Sequence, residues 1–148
     1  KKREALYEEI RETCLYGLGT VSPEEIDSLN IHHATLLAMS RAFENLHNDF
    51  GIKPEVALVD GKFSPKIGCA CEAVTKGDSL SISIAAASIF AKVTRDRLMA
   101  RLHLEFPYYG WQRNAGYGTA EHLAGIKTYG ITPYHRRSFA PVREALLA

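Results

Sequence analysis

The chain has 148 residues, 46% of them hydrophobic, long enough for a domain with a real core. Eighteen Lys and Arg against seventeen Asp and Glu give a formal charge of +1, so no overall basic field marks a nucleic-acid binder. No apolar run approaches the roughly 18 residues of a membrane span, and three cysteines, Cys14, Cys69 and Cys71, build no even disulfide framework, which suits a reducing, cytoplasmic compartment.

In chain order, residues 1–16 read as a helix with Leu6, Ile10, Thr13 and Cys14 on one face, stopped by Gly17 and Gly19. The chain begins Lys1-Lys2-Arg3, with no initiator methionine and already within a charged helical pattern, as a piece of a longer protein would. Ser22-Pro23-Glu24-Glu25 is a helix start: Ser22 as N-cap, Pro23 in the first turn, Glu25 closing a capping box. After Asn30 a longer helix runs to about Asn48, with Leu36, Met39, Phe43, Leu46 and Phe50 as a core stripe. Val56–Val59 reads as a buried strand ending in Asp60-Gly61. Cys69 and Cys71 form a C-x-C pair without the second pair that zinc spacing asks for. Leu80, Ile82 and Ile84 alternate with Ser79, Ser81 and Ser83, which predicts a second strand passing directly into a helix that carries Asp96. Pro107 ends that helical region, and a last short helix spans Ala120–Tyr129. The order helix, strand, strand, helix predicts a helix-rich α/β domain with a small or incomplete sheet.

Two carboxylates draw attention. At 3.6 residues per turn Ile89, Val93, Asp96, Ala100 and His103 share one face, so Asp96 falls on an apolar stripe and needs a partner there. Asp60 stands at the carboxyl end of a strand, where open α/β sheets place their ligands; the other reading is an ordinary Asp-Gly turn. Asp96 also has a bland reading, an ion pair with Lys92 or Arg95 on its own helix. Together the two are hard-oxygen ligands for a divalent ion that activates water beside a phosphodiester, although a two-ion site needs more acids than these. Gly116-Tyr117-Gly118 reads by itself as a tight turn with a surface aromatic. The basic residues gather late in the chain: Arg95, Arg113, His135, Arg136 and Arg137 are candidate phosphate contacts, and Ser88 and Lys92 lie at four-residue steps from Asp96. His32, His33, His47, His103 and His122 show no metal-ligand spacing and read as structural or solvated.

These segments resemble the bacterial type 2 ribonuclease H, or ribonuclease HII, family. The likeness covers nearly the whole chain: KKREALYEEI, SPEEIDSLNI with ATLLAMSRA, LVDG, KGDSLSISIAAASIFAKVTRDRLM, GYGTAEH and HRRSF. The resemblance implies a ribonuclease H-like fold, a five-stranded mixed sheet flanked by helices, whose N-terminal strands are absent here. On that footing residues 1–148 form one domain, the C-terminal three-quarters of a catalytic domain acting as a monomer with no membrane association. It also implies endonucleolytic cleavage of RNA in RNA–DNA hybrids and 5′ of ribonucleotides embedded in DNA, with Mg²⁺ or Mn²⁺, two ions per complete site. Asp60 in LVDG and Asp96 in VTRDR match two of the family's four carboxylates. The other two belong to a glycine-rich DEAGRG motif that these residues lack, so activity is expected of the parent protein, with an inactive or weakly binding fragment as the alternative for this chain. A type 3 ribonuclease H is the other alternative. Tyr117 matches the family's tyrosine that packs on the sugar beside the ribonucleotide, with Gly116 and Gly118 at its sides.

Overall fold

The computed structural model describes residues 1–148 as seven helices and two strands, in the order α1 (Lys2–Thr13), α2 (Pro23–Phe50), β1 (Val56–Asp60), β2 (Ala70–Val74), α3 (Gly77–Leu80), α4 (Ile82–Glu105), α5 (Trp111–Asn114), α6 (Ala120–Tyr129) and α7 (Ala140–Leu147). The fold is α/β and helix-rich, with β1 and β2 parallel in a register running from Val56↔Ala70 to Asp60↔Val74. The chain forms two compact units: residues 1–21 with 31–93, and residues 22–30 with 94–148. The chain passes between them within α2 at Asn30, whose φ of 69° and ψ of 167° break the helix, and within α4 after Val93.

In the first unit the buried face of α1 is set by Tyr7, not by the expected stripe ending at Cys14, which is exposed. Tyr7 stacks on Phe90 with ring centroids 4.6 Å apart, Tyr16 lies 4.3 Å from Phe90, and Val93, Ile10 and Ile89 complete the cluster. Stacked rings of this kind gain beyond the area they bury. The helix ends before the glycines expected to stop it, because Cys14 is already extended (φ −114°, ψ 150°). Gly17 and Gly19 serve a different need. A Cβ on Gly17 would lie 2.1 Å from the Ala42 carbonyl oxygen, and one on Gly19 would lie 1.8 Å from that of Ala38. The segment therefore lies backbone to backbone on α2, where Arg41 donates to the Thr20 carbonyl (2.8 Å) and Asn45 to that of Leu18 (2.6 Å).

The first strand falls where the sequence places it, although only Val59 is buried; Val56 and Leu58 are exposed. The second does not. Leu80, Ile82 and Ile84 lie in α3 and the start of α4, and β2 is Ala70–Val74. The serines explain the error, for Ser81 accepts the Ile84 N–H on its hydroxyl (3.4 Å) and receives the Ala85 N–H on its carbonyl (2.9 Å), which starts a helix instead. Ile84 is buried while Leu80 and Ile82 are 74% and 88% exposed, so the alternation never describes a sheet face.

The second unit is built on Met99, Tyr109, Trp111, Ile126 and Val142, flanked by Phe106, Ile131 and Phe139. The capping box forms as the sequence predicts: Glu25 N–H donates to Ser22 Oγ (3.2 Å) and Ser22 N–H to the Glu25 carboxylate (2.9 Å). On the same short helical stretch Asp27 accepts the backbone N–H groups of Arg137 and Ser138 (both 2.9 Å) and the Ser138 hydroxyl (2.6 Å). Those bonds hold its carboxyl below the usual carboxylate range although partial desolvation pushes the other way. Helix α4 ends at Glu105, two residues before Pro107, and α6 spans the expected Ala120–Tyr129 with Thr119 as its N-cap. Helix α7 was not expected; Pro141 in its first turn was the readable signal.

Candidate functional site

Asp60 closes β1. Its Oδ1 accepts the Gly77 N–H at 2.9 Å, and the next residue, Gly61 (φ 114°), donates to the Val74 carbonyl at 3.0 Å to finish the ladder. The residue is exposed. Asp96 lies half-buried on α4 within the second unit, while Ser88 and Lys92 are exposed on α4 within the first. No three His, Cys, Asp or Glu side chains are grouped to hold a metal ion. Two carboxylates of hard-oxygen type are a partial donor set and do not by themselves make a two-ion centre.

The aromatic turn is the most completely built feature. Tyr117 is 71% exposed, yet its backbone is fixed from several sides. Asn114, buried, directs Nδ2 to the Tyr109 carbonyl (2.7 Å) and to Thr119 Oγ1 (3.1 Å), and accepts the Gly116 N–H on Oδ1 (2.9 Å). Its carbonyl receives the Tyr117 N–H at 2.9 Å. The Tyr117 carbonyl in turn accepts the Thr119 N–H (2.9 Å) and lies 2.9 Å from His122 Nδ1. Gly116 has φ of 90°, a conformation that favours glycine, and Phe139 Cζ would stand 3.1 Å from a Cβ on Gly118. Asn114, Thr119 and His122 were missed as site residues. Thr119 was legible as a helix N-cap, whereas nothing local to Asn114 or His122 announced their partners.

The basic candidates divide. Arg95 Nη2 donates to the Ala115 carbonyl (3.3 Å), which sets an exposed cation beside the turn. Arg136 stands 5.5 Å over the Phe139 ring. Arg113 is committed to an ion pair with Glu121. His135 departs from the expectation of a phosphate contact: it is only 6% exposed, with Nδ1 accepting the Thr132 N–H (3.0 Å) and Nε2 3.1 Å from His122 Nε2. Burial and then the neighbouring His122 lower its pKa to about 4, so it is a neutral core residue and offers no charge to a phosphate. His122 is buried and bonded, not solvated, and Trp111 donates its indole N–H to His122 Nε2 (3.3 Å).

Comparison with solved structures supplies the fold first. The chain superposes on the ribonuclease H2 of Pyrococcus horikoshii with a TM-score of 0.75 and 23% identity, covering 97% of this chain and 74% of that one, and so shares the fold of that protein. A ribonuclease HII from Archaeoglobus fulgidus, solved in complex with PCNA, matches with a TM-score of 0.65 and 26% identity over 93% of this chain and 73% of that one. The family model for ribonuclease HII matches residues 1–142, and the chain belongs to that family. Ribonuclease HII of Ralstonia nicotianae is 54% identical over 147 residues, 99% of this chain and 62% of that protein. The protein of the same name from Gluconobacter oxydans is 51% identical over 150 residues, 100% of this chain and 70% of that protein. The chain thus spans about three-fifths to seven-tenths of the length of these relatives.

Proposed function

We propose that these 148 residues are the C-terminal three-quarters of a catalytic domain that hydrolyses the RNA strand of RNA–DNA hybrids and cuts on the 5′ side of ribonucleotides embedded in duplex DNA. The observation that carries the reading is the Tyr117 turn, an exposed aromatic on a backbone fixed by Asn114, Thr119 and His122. An aromatic face held this way packs on a sugar that lacks its 2′-hydroxyl, while recognition of the 2′-hydroxyl itself requires polar contacts from elsewhere. In this reading Arg95, beside the turn, and Arg136, against Phe139, contact phosphates, which positions a duplex without reading its sequence. Ser88 and Lys92, exposed on α4, are further substrate contacts in this reading. Asp60 and Asp96 are two of the carboxylates that hold divalent ions, Mg²⁺ or Mn²⁺, and the remaining ligands come from residues outside this sequence. The active protein is a monomer.

The test is cleavage of a labelled DNA duplex carrying one ribonucleotide, with Mg²⁺ or with Mn²⁺. The complete protein cuts 5′ of the ribonucleotide; Asp60→Asn and Asp96→Asn each lose activity by about a thousandfold or more, the scale of removing a group that acts in the transition state. Duplex binding by both variants stays close to that of the parent. Turnover by either variant at the parental rate overturns the assignment of the carboxylates. The 148-residue chain alone does not cut, and joining a segment that bears an Asp-Glu pair restores cleavage.

A further inference from the structure

The two buried histidines of the second unit form a hydrogen-bond chain whose direction can be read without ambiguity. A backbone N–H only donates, so the Thr132 N–H at 3.0 Å makes His135 Nδ1 an acceptor. Neutral His135 therefore carries its proton on Nε2 and donates it to His122 Nε2 at 3.1 Å. An indole N–H also only donates, and Trp111 places it 3.3 Å from the same His122 Nε2. Two independent donors thus fix His122 with Nε2 bare and its proton on Nδ1, where it meets the Tyr117 carbonyl at 2.9 Å. Both rings are closed off from solvent, and His122 is 3% exposed.

On the proposed function, in which Tyr117 packs on the sugar, we infer that His122 is the positioning residue for that tyrosine: His135 and Trp111 lock its tautomer so that it holds the Tyr117 carbonyl and sets the angle of the exposed ring. The remaining groups facing the pair are the Thr132 hydroxyl, 3.0 Å from His135 Nδ1, and the ring of Tyr109, whose centroid lies 4.8 Å from that of His135 and 6.0 Å from that of His122. Tyr109 spends its own hydroxyl on the Gly130 carbonyl (2.9 Å), and burial raises its pKa. Glu121, the neighbour of His122 in sequence, is paired with Arg113. A proton added to His122 Nε2 would confront two N–H donors, and one added to His135 Nδ1 would confront the Thr132 N–H. The Thr132 N–H leaves His135 Nδ1 no room for a second proton, which agrees with the depressed titration of His135.

Two substitutions separate positioning from mere packing. Asparagine places an amide near the Nδ1 position of histidine, and glutamine places it near Nε2, so His122→Asn keeps the donor to Tyr117 whereas His122→Gln forfeits it. In the complete protein His122→Asn should cut the single-ribonucleotide duplex within about twofold of the parent, and His122→Gln should lose about tenfold in kcat/KM, the scale of one net hydrogen bond. Cleavage of long RNA–DNA hybrids should change far less in either variant. Equal activity of the two variants, or an equal loss on both substrates, overturns the inference. A second measurement needs no variant of His122 and no activity. The indole N–H resonance of Trp111, assigned with Trp111→Phe, and the amide resonances of Gly116–Thr119 are followed from about pH 7 to about pH 4. One common titration of indole and turn supports the coupling; an indole that titrates while the turn stays still, or a pair that never titrates with the turn, refutes it. A parent that does not cut the single-ribonucleotide duplex sinks the proposed function, and the resonance experiment still decides whether His122 sets the turn.

Discussion

Tyr7, Ala34, Val59, Ile84, Phe90 and Val93 are buried apolar side chains of the first unit; Asn114, His122, Thr132 and His135 are buried in the second, beside Tyr109 and Trp111, and all four are hydrogen-bonded. An apolar cluster constrains volume and tolerates repacking. A satisfied polar network constrains direction as well, because each donor must face its acceptor, and half of such a network is worse than none. The exposed tyrosine belongs to the second kind of interior. The first unit obtains its close fit by other means, from glycines that admit the backbone of α2, and leaves Val56 and Leu58 of its sheet in solvent.

The contrast is broken most forcefully at Gly19. Gly19→Ala drives a methyl into the Ala38 carbonyl and should destabilise the first unit by about 3 kcal/mol or more, measured by denaturant unfolding. If stability is unchanged, the two backbones do not approach as closely as described. In the second unit Asn114→Ala leaves the Gly116 N–H without its side-chain acceptor and the Tyr109 carbonyl without its side-chain donor, and should cost about 2 kcal/mol. The amides of Gly116–Thr119 should exchange faster in that variant while those of α1 remain as they were. Acid tests the same network without a substitution there. The His135 pKa of about 4 in the fold lies below its ordinary value of 6.5, so between those two pH values the unfolded chain binds a proton that the folded chain refuses. The stability this residue contributes is complete above about pH 6.5 and is lost as pH falls toward 4. Urea midpoints measured across that range should decline, and less steeply in His135→Asn.

How far the sequence could be read follows the same division. Ser22 and Glu25 name each other across three residues, β1 is bounded by its own Asp-Gly, and α6 lies between a threonine cap and Gly130, so each was legible from neighbours in the chain. Leu80, Ile82 and Ile84 misled because period-two spacing over five residues is too short to outweigh serines that can start a helix, and β2 was passed over because Cys71-Glu72-Ala73 carries little strand character. Among the candidate residues, Asp96 stands out by its place on an apolar helical stripe, Asp60 by its strand end, and Tyr117 through the motif of the family. The role of His122 did not, for its meaning depends on Trp111, eleven positions before it, and His135, thirteen after. His135 reads as a phosphate contact for the same reason: an Arg-rich neighbourhood looks basic until Thr132 and His122 are known to enclose it.

The tyrosines are spread over both units, but Trp111 is the only tryptophan in the chain, and it lies in the second unit with its indole N–H bonded to His122. Intrinsic emission excited at the red edge is consequently a private signal of that unit. Far-ultraviolet circular dichroism is dominated by helices of both. Superposed melting curves from the two methods would describe a single cooperative transition, whereas displaced curves would resolve two, with no label introduced anywhere.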